Sequence, residues 1–177
     1  MQQSQTVAAE IVGTVSRYWQ GIPLRVGISR LSIQTQNLGE MYAQAQAAIT
    51  YGPILHPDRP VHFWHDLGCF QFVLNDLGSD RAQRFVRDSL GTLARDTVAG
   101  EPGELLRTLQ ELLSGESAQV IAHKLNIHPQ TVAFRKKKIE RALNVDLDAM
   151  EVRLRLTIAV RMLSFMEKNL KMANLVV

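Results

Sequence analysis

The sequence predicts an α+β protein, a mixed segment of helices and short strands followed by an all-helical segment. Three observations carry this. Up to about residue 96, helical spacing of apolar residues is interrupted by short alternating runs such as "LRVGI" (24–28). At 97–103, "TVAGEPG" is a small-residue stretch with two glycines and a proline, the composition of a linker. Beyond it every apolar pattern has helical spacing.

Taken in order, Val7, Ile11, Val15 and Tyr18 recur at helical spacing and predict an amphipathic helix over about 6–19, ended by "GIP" at 21–23. Leu24, Val26 and Ile28 alternate with their neighbours and predict a strand. In the helix that follows, Asn37 and Glu40 have capping-box spacing, and Met41, Tyr42, Ala45 and Ala48 form one apolar face. "VHFW" (61–64) reads as a second strand. "GCFQFVL" (68–74) is too short for its period to separate strand from helix. Residues 79–95 predict one helix with Ala82, Phe85, Val86, Leu90 and Leu93 inward. After the linker come "ELLRTLQELLSG", stopped by Ser114-Gly115, and "SAQVIAHKL", capped by Ser117. The last helix is expected to have Asp148 as its cap and Glu151 reaching back.

Charge is unevenly distributed. Residues 1–100 hold eight Arg against eight Asp/Glu, while 101–177 hold twelve Lys/Arg against nine, and all six lysines fall in the second part. Such asymmetry points to an anionic partner for the C-terminal segment. The single cysteine, Cys69, excludes an internal disulfide framework and fits a reducing compartment. The N-terminus "MQQSQTVAAE" has neither the basic start nor the apolar core of a signal peptide, and no apolar run approaches a membrane span. A cytoplasmic protein without a membrane partner is expected.

The stretch "NIHPQTVAFRKKKIERAL" (126–143) sets a proline and then four cations inside a helical pattern. Joined to "AQVIAHKL", it has the parts of a helix-turn-helix. Ala122 is small enough for close helix crossing. Ile121, Leu125 and Ile127 face inward, and Asn126 stands where the turn needs φ > 0. His128 is then the N-cap and Pro129 the first helical residue, where its missing N–H costs nothing. Val132, Ile139 and Leu143 point to the core, leaving Gln130, Ala133, Phe134, Lys137 and Arg141 outward with Thr131, Arg135 and Lys138 on the flanks. Such a helix suits the major groove of double-stranded DNA. Gln130, Ala133 and Phe134 would meet bases, and Thr131, Arg135, Lys137 and Lys138 would meet phosphates with help from Lys124.

"HPQTVAFRKKKIE" resembles the motif His-x-Asn/Gln-Thr-Leu/Val-x-Tyr/Phe-Arg-x-x-x-Ile-Glu of the DNA-binding domain in PucR/CdaR-type bacterial transcription regulators. His128, Gln130, Thr131, Val132, Phe134, Arg135, Ile139 and Glu140 match it. Pro129 replaces a usual basic residue, removing one phosphate contact. Lys136 replaces a usual aliphatic one, so the helix packs as tightly as in the family only if Lys136 buries its stem and brings its ammonium to the surface. Upstream, "LRVGISR", "NLGEMYAQAQAAITYG" and "VHFWHDLGCFQFVL" resemble the closing helix–strand–helix–strand of the degenerate GGDEF-like domain found before that helix-turn-helix. The resemblance implies a truncated GGDEF-like domain over 1–96 and the helix-turn-helix domain over 104–177. It further implies a homodimer without cofactor or catalysis, whose effector is sensed by a region outside this chain.

Competing chemistry finds less support. A nucleotide cyclase would need carboxylates holding a metal against a triphosphate, and Asp66, Asp76 and Asp80 show no convergent spacing. His62 and His65 with His56 could suggest a metal site, but on a strand the first two would face opposite ways. Cys69 is expected to be a buried small hydrophobe. The chief rival to DNA binding is a protein-interaction module, because the last helix is apolar on two sides. Val152, Leu156, Ala159, Leu163, Met166 and Leu170 form one stripe, and Leu154, Ile158, Met162 and Phe165 the other.

Overall fold

A computed structural model describes residues 2–18, 24–30, 37–95, 97–98 and 101–173. The chain divides into two compact units, Met1–Asp76 with Lys168–Val177, and Leu77–Glu167. The stretch 97–103, read above as a linker, lies within the second of these.

The first unit is built from α1 (Gln2–Tyr18), β1 (Val26–Ile28), α2 (Leu38–Leu55) and β2 (Val61–Phe63). The two strands pair in parallel, with Val26 opposite Val61, Gly27 opposite His62 and Ile28 opposite Phe63. Parallel neighbours need a crossover, which α2 supplies. That helix packs tightly on the sheet: a Cβ at Gly27 would collide with the Ala45 carbonyl, and one at Gly52 would lie 2.6 Å from the His62 side chain. Its buried residues are Gln44, Ala48 and Gly52, whereas Tyr42, expected on the inner face, is 68% exposed. Gln44 is tolerated because its Oε1 accepts from Arg30 N and its Nε2 donates to Glu40 Oε1. Glu40 is thereby occupied, and Asn37 makes no side-chain cap bond, so the expected capping box does not form. On α1 the buried residue is Ala8, while Val7, Ile11 and Tyr18 of the expected inner stripe are exposed. The ambiguous 68–74 run belongs mostly to a 3₁₀ segment, Trp64–Phe72, kinked at Gly68 with φ 54°. Cys69 follows that kink and is exposed, not buried as expected.

The second unit begins with α3 (Asp80–Leu90), where Ser79 accepts a hydrogen bond from Ala82 N. The helix expected to run to 95 stops at Gly91, whose φ of 52° suits glycine, and continues as a 3₁₀ turn, Gly91–Arg95. The burial of Ala82, Val86, Leu90 and Leu93 is as expected. Two short strands, β3 (Thr97–Val98) and β4 (Glu101–Pro102), pair antiparallel. Then come α4 (Glu104–Leu113), α5 (Ala118–Leu125), α6 (Pro129–Leu143) and α7 (Met150–Ala173), of which 150–167 belongs to this unit. Leu106, Leu109, Ile121, Val132, Ile139 and Leu147 are at most 1% exposed and form the interior that fixes these helices. The Arg153 guanidinium donates to the carbonyls of Leu112 and Leu113, satisfying the end of α4 from α7. Asp148 does not cap α7, because its carboxylate binds Lys136 and the helix starts at Met150.

Candidate nucleic-acid interface

Each boundary of α5 and α6 is set by a local device. Ser117 Oγ accepts from Val120 N, starting α5. Asn126 ends it in the left-handed region, φ 54° and ψ 47°, while Ile127 N donates back to the Ala122 carbonyl at 3.0 Å. Two residues later His128 is extended, its Nδ1 accepts from Gln130 N at 3.2 Å, and Pro129 opens α6. Asn144 repeats the left-handed ending with φ 51°. Ile121, Ala122 and Val132 make a buried cluster against which Leu112, Leu125 and Ile127 pack, so α5 and α6 are fixed at their crossing.

The outward face of α6 is the one the sequence describes. Gln130, Ala133, Phe134, Lys137 and Arg141 are all exposed, Phe134 by 67%, and Lys138 beside them is exposed as well. Thr131 is half-buried. The candidate residues differ in whether their charge is already used. Arg135, with a side chain 15% exposed, reaches Glu104 Oε2 at 2.7 Å and Thr108 Oγ1 at 3.4 Å. Lys124 lies 2.7 Å from Glu116 and 3.4 Å from Glu111, and the hydrogen bond to Glu116 raises its pKa above the usual lysine value. Lys136 keeps a half-buried stem and brings its ammonium within 2.7 Å of Asp148, which pushes that carboxyl below its ordinary range. Lys137, Lys138 and Arg141 have no carboxylate partner among the described residues.

The four-cation run is therefore two kinds of residue. Arg135 and Lys136 brace α6 against α4 and the α6–α7 connection, and Lys137 and Lys138 are available. Arg141 was placed on the outward face by spacing but was not singled out as a contact. Its availability is visible only once the partners of the other cations are known.

Outside this face, no histidine or cysteine among the described residues joins a group of possible metal ligands. His65 pairs with Asp66 at 3.1 Å, and Arg59 lies 3.6 Å from the same carboxylate. His62 is buried against Gly52 and its Nε2 has no hydrogen-bond partner. Burial, followed by the nearby Arg25 and His56, lowers the His62 pKa from its ordinary value of 6.5, so the neutral ring is favoured. Among the described residues the one grouping of possible metal ligands is Glu140, Asp146 and Asp148, and Lys136 already bonds to Asp148 and lies near Glu140.

Two helices locked at a left-handed turn, the second capped by His128-Pro129 and carrying free cations outward, define a helix-turn-helix domain. Residues 105–162 match the family model of the PucR C-terminal helix-turn-helix domain. The match supports a PucR-type regulator, and it lies wholly within the second unit. No curated protein and no solved structure gives a significant match. No described helix is long and apolar enough to cross a membrane.

Proposed function

We propose that the chain is a sequence-specific, DNA-binding transcription regulator that inserts α6 into the major groove. Gln130, Ala133 and Phe134 are at base edges in this reading, with Gln130 able to pair bidentately with adenine. Thr131, Lys137, Lys138 and Arg141 lie on phosphates. Arg135 and Lys124 are engaged with Glu104 and Glu116, and His128 contributes by fixing the first turn of α6. The observation that carries this is the exposed strip of Lys137, Lys138 and Arg141, cations with no carboxylate partner among the described residues. Lys and Arg on phosphate release counterions, which makes an unpaired cation worth more to DNA than one already paired.

The protein acts as a homodimer in this proposal, since helix-turn-helix domains commonly read two half-sites related by a two-fold axis. Exposed Met150 and Leu154 at the start of α7 supply apolar surface for such a contact. The first unit is the tail of a GGDEF-like domain, a reading supported by the helix–strand–helix–strand order and the parallel pairing of β1 with β2. Its work is binding, in the cytoplasm and without catalysis or cofactor.

Amide chemical shifts of the protein titrated with a short random-sequence duplex test this. The expected result is a set of perturbations concentrated in 128–141 and absent from α2. Perturbations confined to α7, or none at all, would favour the interaction-module reading instead.

A further inference from the structure

An open groove of about 670 Å³ runs between α6 and the 3₁₀ turn at 91–95. Thr92 and Arg95 line it from the turn, Glu104 from α4, and Thr131, Phe134 and Lys138 from α6. Phe134 and Lys138 thus belong to both the groove and the outward face of α6. The groove is an extension of the candidate interface, built from a part of the chain that precedes the matched helix-turn-helix segment.

Its chemistry is selective. Arg95 and Lys138 are exposed, and neither has a carboxylate partner among the described residues. Among the described residues the one carboxylate on the wall, Glu104, is held by Arg135 at 2.7 Å. Thr92 and Thr131 add hydroxyl donors from opposite walls, and the exposed Phe134 ring adds apolar surface. Free cations, neutral donors and an apolar surface together match a chain in which anionic phosphates alternate with apolar sugars. A helix lying in the B-DNA major groove, about 12 Å wide, has a phosphodiester strand along each side. An element standing beside that helix on its own domain therefore meets one of those strands.

We infer that this groove seats one sugar–phosphate strand of the bound duplex, with Arg95 and Lys138 on its phosphates. The inference rests on the DNA-binding reading above. It adds Arg95, from outside the helix-turn-helix, to the residues that hold DNA.

The test is a salt titration of full-chain binding to random-sequence duplex DNA between about 50 and 200 mM salt, with thermal unfolding of each variant as a control. Wild type is compared with Arg95→Ala, with Lys137→Ala, and with Arg84→Ala, which removes an exposed cation from α3. One lost phosphate contact reduces the fall in affinity over that range by about 3.5-fold. Arg95→Ala should show that reduction with unchanged unfolding, and Arg84→Ala should behave as wild type. The groove proposal is overturned if Arg95→Ala keeps the wild-type slope, or if Arg84→Ala loses as much. Should Lys137→Ala flatten the slope while Arg95→Ala does not, α6 still binds DNA and only the groove is wrong. A wild type without salt-dependent binding overturns both readings.

Discussion

The inner and outer sides of α6 use the same short sequence for opposite ends. On the inner side Val132 and Ile139 are 1% and 0% exposed, and Arg135 and Lys136 have found carboxylates on other elements. On the outer side Lys137, Lys138 and Arg141 are exposed with no such partner. Neighbouring cations in one run therefore differ in surroundings because helical geometry turns each successive residue by about a quarter of a circle. The lesson is that a run of positive charge is not a unit. Each member has to be asked whether its charge is already satisfied, since an exposed pair contributes little to stability while an unpaired cation remains available to phosphate.

This contrast can be broken or sharpened by mutation. The largest effect is expected on the inner side. Ile139→Ala leaves a cavity in a fully buried site and should cost about 2–5 kcal/mol, read from denaturant unfolding. A cost near zero would mean that α6 is not packed as described. Arg135→Ala breaks the contact to Glu104, a residue 77% exposed, and should cost less than about 1 kcal/mol. Its salt dependence of DNA binding should stay close to wild type, which separates bracing from phosphate contact. A flattened salt slope for Arg135→Ala would move that residue back among the DNA contacts.

The two units differ in how far the sequence reveals them. In the second unit several boundaries are set by neighbouring residues: Ser117, Asn126 and His128-Pro129 each act within a few positions, so reading along the chain finds them. The turn geometry, the buried set and the outward face of α6 all follow from such signals. The tied cations do not. Arg135 and Glu104 are 31 residues apart and Lys136 and Asp148 are 12 apart, distances at which no local pattern registers a partner. The groove shared by Arg95 and Lys138 is hidden from the sequence for the same reason, because only the folded unit brings the 91–95 turn alongside α6.

The first unit depends more on tertiary contact, and sequence reading erred there more often. The pattern at 41–48 shows apolar content but not which side the sheet will take, so Tyr42, expected inside, is exposed while Gln44 is buried. The Asn37–Glu40 capping box was a good local signal overridden by Gln44, which drew Glu40 away. Gly68 and Gly91 both turn with positive φ and end or kink helical segments, and neither break was read from composition. At Gly68 that kink is followed by Cys69, which is exposed although its apolar run suggests a buried small hydrophobe.

The central claim is that the free cations of α6, and not the tied ones, hold duplex DNA. It is tested most directly by the salt slopes of two variants beside wild type: Lys137→Ala/Lys138→Ala from the free set and Lys124→Ala from the tied set. The account predicts that the double variant loses about two contacts, cutting the fall in affinity between about 50 and 200 mM salt roughly 12-fold, while Lys124→Ala leaves the slope unchanged. Equal slopes for the double variant and wild type, or a loss at Lys124 as large as at the α6 pair, would contradict it.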